Sequence, residues 1–281
     1  MHTLPPARLE IGADPRVMRI TLADAPRRNA LGTAMFHALE AALSEAGRRA
    51  QAGDSHVLLL RAEGSAFCAG FDLAACVDDA ATLESFIRRL SGVIVALRSM
   101  PAVVVAQAQG AALAGGCAIL TGCDIVCATE RATFGYPVHR IGVSPAVSLP
   151  TLVPALGAGA ARELALLGEP VTAARAHQLG LVHRLHPDAD ALAAATDSLV
   201  ASLASKGSHA LRQTKAWLSR LDGTDLGDGA GSDATWSAAL GSRASRDLET
   251  VRAAAAASAA LCAGHECRTM LQAFWSSRSR G

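Results

Sequence analysis

The chain has 281 residues, of which 51% are hydrophobic and 18% are charged, and its formal net charge is +1. This length and composition predict a folded globular protein with a sizeable core and exclude a disordered chain. No cluster of Lys and Arg and no basic stripe with interleaved aromatic residues occurs, which argues against nucleic-acid binding.

Strands and helices alternate over the first half of the chain. "RVMRITLAD" is typical of a strand, and in the helix that follows it Phe36, Leu39 and Leu43 recur on one face. "HVLLLRAEG" and "PAVVVAQAQG" are almost wholly apolar, as buried parallel strands are. This alternation predicts an α/β fold with parallel strands.

Helical patterns replace the strand signals beyond about residue 145 and continue to the end of the chain. We predict a core domain over residues 1–205 and a C-terminal helical region over residues 206–281. Within the second region, "DGTDLGDGAGSD" is rich in Gly and Asp. This stretch, about residues 222–233, predicts a flexible surface loop.

The chain carries no signal of a membrane or secreted protein. Its apolar runs are broken by Gly, Arg or Asp before they reach the length of a membrane helix, and "MHTLPPARLEIG" has no apolar signal-peptide core. The seven cysteines show no CxxC pair and no Cys/His ligand spacing, so we expect reduced, buried thiols and no metal site. These features favour a cytoplasmic protein.

Two strand–loop–helix junctions carry the residues of chemical interest. Gly70 and Phe71 follow one buried strand, and Ala114, Gly115 and Gly116 stand at the start of a helix that follows another. Glycine lets the backbone approach a ligand closely, and free N–H groups at a helix N-terminus favour negative charge. Two such N–H groups directed at one point would form an oxyanion hole.

These two loops, in this order, resemble those of the crotonase superfamily, the enoyl-CoA hydratase/isomerase family. The resemblance covers nearly the whole chain and rests on "APRRNAL", "SAFCAGFDL" and "QGAALAGGCAILTGCDIVCATERATFG". It implies a ββα spiral core and a C-terminal helical trimerisation region, and therefore a homotrimer or a dimer of trimers. The similarity is greatest to methylglutaconyl-CoA-hydratase-like members and to the enoyl hydratases and dehydratases of polyketide pathways.

The resemblance also implies the ligand and the residues around it. The substrate is an acyl thioester of coenzyme A or of a carrier-protein phosphopantetheine, and no covalently bound cofactor is expected. The backbone N–H groups of Phe71 and Gly115 would hold the thioester carbonyl oxygen and stabilise the enolate. The residues placed along the path of the coenzyme A moiety are Arg28, Ala66, Cys68, Gly70, Asp72, Leu73, Gly116 and Phe274.

Two positions depart from the family pattern. Hydratases of the family use one or two glutamates as general acid and base, and these fall at Ala118 and Val138 in this chain. Neither side chain transfers a proton, which argues against classical hydration but leaves the backbone oxyanion hole intact.

Three other side chains are candidates for proton transfer. His139 adjoins Val138, but neighbours on a strand point to opposite faces, so a half-exposed histidine is the favoured interpretation. Tyr136 would share the face of Val138 in an extended segment, as a donor to substrate or as a packed, hydrogen-bonded tyrosine. Asp72 follows the first loop, where it would carry a proton or, more simply, cap the next helix or orient the loop.

Three functions stay open. The first is an acyl-thioester enzyme that works through an enolate, as a hydratase or dehydratase, an isomerase, or a decarboxylase in which the departing CO₂ supplies the electrons. The second is a thioester-binding homologue without catalytic activity, and the third is a structural subunit of a mixed assembly. The two intact loops favour the enzyme, a lyase of the enoyl-CoA hydratase/isomerase type.

Overall fold

The computed structural model describes residues 5–76, 80–224, 252–260 and 265–278 of the chain. Its strands are β1 (Ala7–Ile11), β2 (Val17–Leu22), β3 (Val57–Ala62), β4 (Ala66–Cys68), β5 (Val103–Ala108), β6 (Ala111–Leu113), β7 (Ile125–Thr129), β8 (Thr133–Gly135), β9 (Val171–Thr172) and β10 (Arg184–His186). Its helices are α1 (Thr33–Ala52), α2 (Ala80–Arg98), α3 (Gly115–Thr121), α4 (Leu149–Leu156), α5 (Ala158–Leu167), α6 (Ala173–Gln178), α7 (Ala189–Ala204), α8 (Ser208–Leu221), α9 (252–260) and α10 (His265–Arg278).

The larger sheet has the strand order β1-β2-β3-β5-β7-β10. All neighbours in it are parallel except β1, which pairs with β2 in the antiparallel sense. The predicted α/β class with parallel strands is therefore confirmed. The edge strand β1 is an addition that the sequence analysis did not predict, because its five residues alternate apolar and charged side chains too briefly to stand out.

The smaller sheet has the order β4-β6-β8-β9. It continues the larger one, since β3 leads into β4, β5 into β6 and β7 into β8, and a helix follows each pair. This repetition confirms the ββα spiral. The corner after β5 needs glycine, because a Cβ on Gly110 would lie 1.9 Å from the carbonyl oxygen of Ser65 at the corner of the preceding repeat.

The central strands are buried on both faces. Leu58 and Leu60 of β3 belong to the main core with α1 and α2, whereas Val57 and Leu59 pack on the opposite face with residues of α7 such as Leu192. Successive side chains of a strand point to opposite faces, so a strand covered on both sides has a continuous apolar sequence. The predicted face of α1 is likewise buried.

The predicted boundary at residue 205 falls in the turn between α7 and α8, and the division into two regions stays a prediction. The last two helices pack against the core. Ser258 of α9 donates a hydrogen bond to the carbonyl oxygen of Ser144 at 2.6 Å. The Cys267 thiol of α10 lies 3.4 Å from the carbonyl oxygen of Ile141. The predicted loop at about 222–233 lies outside the described residues after Thr224. None of the described helices has the length and apolarity needed to cross a membrane.

Candidate active site

The first loop follows β4 and is held to the segment before α1 by three backbone hydrogen bonds. The N–H group of Ala69 donates to the carbonyl oxygen of Arg28 at 3.0 Å. The N–H group of Leu31 donates to the carbonyl oxygen of Gly70 at 2.8 Å, and the N–H group of Asp72 donates to the carbonyl oxygen of Leu31 at 3.2 Å. Gly70 has φ +95°, a value that favours glycine. The N–H group of Phe71, which lies between these hydrogen bonds, donates to no acceptor within the described part of the chain.

The second loop joins β6 to α3. The N–H group of Ala114 donates to the carbonyl oxygen of Gly135 at 2.8 Å, and its own carbonyl oxygen accepts from Ala118 at 3.0 Å, which closes the first turn of the helix. Gly115 is the first residue of α3, so its N–H group has no partner inside the helix. It donates to no other described residue either.

The two loops touch each other. A Cβ on Gly70 would lie 3.0 Å from the Ala114 Cβ and 3.7 Å from the backbone nitrogen of Gly115, and a Cβ on Gly116 would lie 2.4 Å from the carbonyl oxygen of Cys68. Larger residues at either glycine would therefore force the loops apart. Two unpartnered N–H groups consequently lie on adjoining loops.

Ala114, the residue before α3, has a strained backbone with φ 50° and ψ −114°. L-residues in such regions cost roughly 1–3 kcal/mol. We expect Ala114→Gly to raise the free energy of unfolding by about 1 kcal/mol, since the relief exceeds the added chain entropy of glycine. Chemical denaturation of both proteins measures this, and an unchanged or lower stability would contradict it.

An inner cavity of about 20 Å³ lies beside the two loops. Phe71, Ala114 and Gly115 contribute to its wall, and no carboxylate, histidine or lysine of the described residues does. The rest of the lining is apolar except for one tyrosine and three serines: Ile87, Leu90, Ala118, Tyr136, Val138, Val143, Ser144, Pro145, Val147, Ser148 and Ser258.

An outer cavity of about 240 Å³ adjoins the inner one, since both are lined by Phe71, Ala114, Val138 and Val143. Phe274 of α10 lies in its wall, so the C-terminal helix covers the site of its own chain. The other lining residues are Ala69, Leu73, Pro137, Arg140 and Ile141. The site thus consists of a larger outer cavity and a small, mostly apolar inner one that share part of their walls.

The two positions assigned to the glutamates line these cavities. Ala118 is buried in α3 and belongs to the inner wall, and the half-buried Val138 stands where the two cavities meet. Tyr136 is buried and also lines the inner cavity. Tyr136 and Val138 thus line the same cavity, and their sharing one face of an extended segment stays a prediction.

The strand assumption behind the His139 interpretation is wrong. The strand β8 ends at Gly135, and His139 begins a 3-10 turn that ends at Ile141, because Val138 has helical backbone angles. His139 is nevertheless exposed, with Nδ1 beside Gly168, and it lines neither cavity. Its role as acid or base stays a prediction without support from its position.

Asp72 also lies outside both cavity linings. Its carboxylate is 3.9 Å from the guanidinium of Arg27 and packs against Gly32, while its carbonyl oxygen accepts from Ala75 in the following 3-10 turn. The contacts of Asp72 thus hold the first loop against the segment before α1.

Of the eight residues assigned to the coenzyme A path, only two line either cavity. Leu73 and Phe274 line the outer cavity, and Arg28 is exposed beside the first loop. Ala66 and Cys68 are buried in β4 and line neither cavity. The carbonyl oxygen of Ala66 already accepts from the side chains of Asn29 and Gln109, at 2.9 and 3.0 Å.

The cysteines beside the loops are buried thiols, as expected. Burial raises the pKa of both Cys68 and Cys117 to about 12, so each stays protonated at neutral pH. Both therefore serve as packing groups rather than nucleophiles.

Several lining residues were missed by the sequence analysis. Arg140 and Ile141 lie just beyond Val138, and a signal for them existed in their proximity to that position. Ser258 is different, because it stands in an Ala-rich stretch more than a hundred residues from the loops. Only the packing of α9 against the core brings it to the inner cavity.

Comparison with known proteins agrees with this geometry. The sequence profile of the enoyl-CoA hydratase/isomerase family matches residues 12–245. A Thermus thermophilus protein provisionally named an enoyl-CoA hydratase is 36% identical over 214 residues, 75% of this chain and 83% of that protein. The mouse (Mus musculus) mitochondrial enoyl-CoA hydratase domain-containing protein 3 is 32% identical over 178 residues, and the match spans 57% of its length.

A solved structure shares the whole architecture. The crystal structure of an enoyl-CoA hydratase/isomerase from Xanthobacter autotrophicus Py2 superposes with a TM-score of 0.78 at 26% identity, covering 99% of this chain and 94% of that one. The two touching loops, the ββα spiral and the sequence match point to the same conclusion. This chain belongs to the enoyl-CoA hydratase/isomerase family.

Proposed function

We propose that the chain binds an acyl thioester with its carbonyl oxygen between the N–H groups of Phe71 and Gly115 and stabilises the enolate formed from it. One observation carries this proposal: both N–H groups lack a partner among the described residues, and both residues line one cavity. Backbone donors fixed in a water-poor site stabilise developing negative charge without reorganising.

The outer cavity is suited to the thioester's pantetheine arm, whether coenzyme A or a carrier protein supplies it. Its walls offer apolar contacts from Leu73 and Phe274 and the guanidinium of Arg140. Arg28, exposed at the first loop, has no ion pair with a described residue and is placed to meet a phosphate. A backbone role for Ala66 and Cys68 stays part of the proposal.

The reaction that this site supports best is one in which the substrate itself generates the enolate. Loss of CO₂ from a carboxylated acyl thioester does so, because the electrons of the breaking carbon–carbon bond move onto the thioester carbonyl. No described carboxylate lines either cavity to act as a general base. Hydration is the second candidate, favoured by the names of the relatives, and isomerisation and binding without turnover follow it.

The acyl group is short in this proposal, since the inner cavity of about 20 Å³ has room for little more than one small group. The motif similarity to methylglutaconyl-CoA-hydratase-like and polyketide members favours a branched or carboxylated group.

Isothermal titration calorimetry tests the thioester proposal. We expect acetyl-CoA, crotonyl-CoA or methylglutaconyl-CoA, or an acyl carrier protein carrying the same groups, to bind more tightly than free coenzyme A or the free carrier protein. Absence of binding by every one of these thioesters would remove the proposal.

We further propose a homo-oligomer, a trimer or a dimer of trimers. The support is apolar exposure on α8, where Leu218 is 57% and Leu221 is 74% exposed in the single chain. Large apolar patches on a surface mark interaction sites. Light scattering at micromolar concentration should give a mass at least three times 28.8 kDa, and a monomeric mass would contradict it.

The proposal also places the protein in the cytoplasm. The six described cysteines are buried, and reduced, buried thiols are usual in a reducing compartment.

A further inference from the structure

Tyr136 is the only tyrosine in the chain, and it lies in the wall of the inner cavity. The residue is 1% exposed, and its hydroxyl makes no hydrogen bond to any described residue. Ser148 and Cys117 are its polar neighbours. The Ser148 hydroxyl donates to the carbonyl oxygen of Pro145 at 2.8 Å, and neither Ser148 nor Cys117 has the geometry of a hydrogen bond with Tyr136.

A buried hydroxyl without a partner is costly, and such groups are rare in folded proteins. The cost is avoided when a ligand supplies the partner. The inner cavity that Tyr136 shares with Phe71 and Gly115 holds about 20 Å³, little more than one small group. An acyl carbon next to the two N–H groups would therefore be a neighbour of Tyr136 in this cavity.

The hydroxyl keeps its proton until it is used. Burial is the main cause that raises the pKa of Tyr136 well above its ordinary value. The group is thus a neutral donor at physiological pH and does not act as a base. A thioester enolate is far more basic at its α-carbon than a phenol, so transfer of the proton to that carbon is favourable.

We propose that Tyr136 is a catalytic residue whose hydroxyl donates its proton to the α-carbon of the enolate held by Phe71 and Gly115; this rests on the proposed function. In a carboxylated thioester the bond between the α-carbon and the carboxylate breaks, its electron pair moves onto the thioester carbonyl, and CO₂ leaves. The enolate pair then takes the Tyr136 proton and forms a C–H bond. Water reprotonates the phenolate, so the cycle consumes one proton.

The first test uses the single tyrosine as a probe. Full-length protein labelled with ¹³C at the tyrosine ζ carbon gives one NMR resonance. This resonance is followed while acetyl-CoA or free coenzyme A is added, and calorimetry measures the binding of each ligand separately. We expect acetyl-CoA to shift the resonance and free coenzyme A to leave it in place. Binding of acetyl-CoA with an unmoved resonance would overturn the role of Tyr136 alone. Failure of acetyl-CoA and the other thioesters to bind would overturn the proposed function with it.

The second test is Tyr136→Phe, assayed with methylmalonyl-CoA in D₂O because protonation of its enolate creates a stereocentre. We expect an unchanged or higher melting temperature, an unchanged KM, and a kcat lower by about 10²-fold or more. The remaining product should lose the single α-configuration of the native product.

Protein made with 3-fluorotyrosine, which keeps the hydroxyl, should retain turnover and configuration. A lower melting temperature of Tyr136→Phe would show that the hydroxyl has a structural partner. A native kcat and a native product configuration in Tyr136→Phe would show that another group donates the proton. Either result overturns the proposal.

Discussion

Gly115→Pro is expected to lower thioester turnover by at least about 10²-fold and to weaken thioester binding in calorimetry. Proline has no N–H group, so the substitution deletes one of the two proposed donors, and removal of a single oxyanion-hole donor typically costs about 10²–10³ in kcat. Proline is otherwise compatible with the first position of a helix, which Gly115 occupies.

Two control variants separate the lost donor from other effects. Gly115→Ala keeps the N–H group but adds a Cβ that would lie 2.7 Å from Cδ1 of Leu31, so it measures the steric share. Ala158→Pro places proline at the first position of α5, where the residue is exposed and outside both cavity linings. Both should retain most of the turnover. Equal losses in Gly115→Pro and Gly115→Ala would contradict a role for the N–H group.

Val138→Glu is expected to raise hydration of crotonyl-CoA by about 10²–10⁴-fold over the native protein, the usual worth of a well-placed acid or base. Val138 is half-buried at the junction of the cavities, and the outer one has space for a longer side chain. Val138→Gln is the matched control, because it has the same size without a titratable group, and it should not gain. A gain in Val138→Gln equal to that in Val138→Glu would contradict a proton-transfer role.

Ala118→Glu is expected to behave differently. Ala118 is 1% exposed and faces a void of only about 20 Å³. Overpacking typically costs 1–3 kcal/mol, and a buried carboxylate without a partner costs more. The substitution should therefore lower the free energy of unfolding by at least about 1 kcal/mol in chemical denaturation.

The fold was predictable where local sequence carries the signal. The continuous apolar runs of β3 and β5 follow from burial on both faces, and the small residues at Gly70 and Gly116 follow from loops that approach too closely for side chains. Positions 118 and 138 could be placed in the pocket because the resemblance to the family assigns its glutamates to them.

Long-range packing decides the remainder, and no local pattern reports it. Ser258 and Phe274 reach the cavities only because α9 and α10 fold back on the core. The direction of His139 depends on where β8 gives way to a 3-10 turn. The absence of a partner for the Tyr136 hydroxyl among the described residues is likewise a result of packing that no local pattern reports.

The most direct measurement is a side-by-side assay of the native protein with crotonyl-CoA and with malonyl- and methylmalonyl-CoA, following hydration by absorbance and CO₂ release by a coupled assay. If the site stabilises an enolate that the substrate generates, CO₂ is released from a carboxylated thioester while hydration stays at least about 10²-fold slower, as expected without a placed acid or base. Hydration of crotonyl-CoA at an ordinary enzymatic rate, about 1–10³ s⁻¹, with no CO₂ release from either carboxylated thioester, would contradict the account.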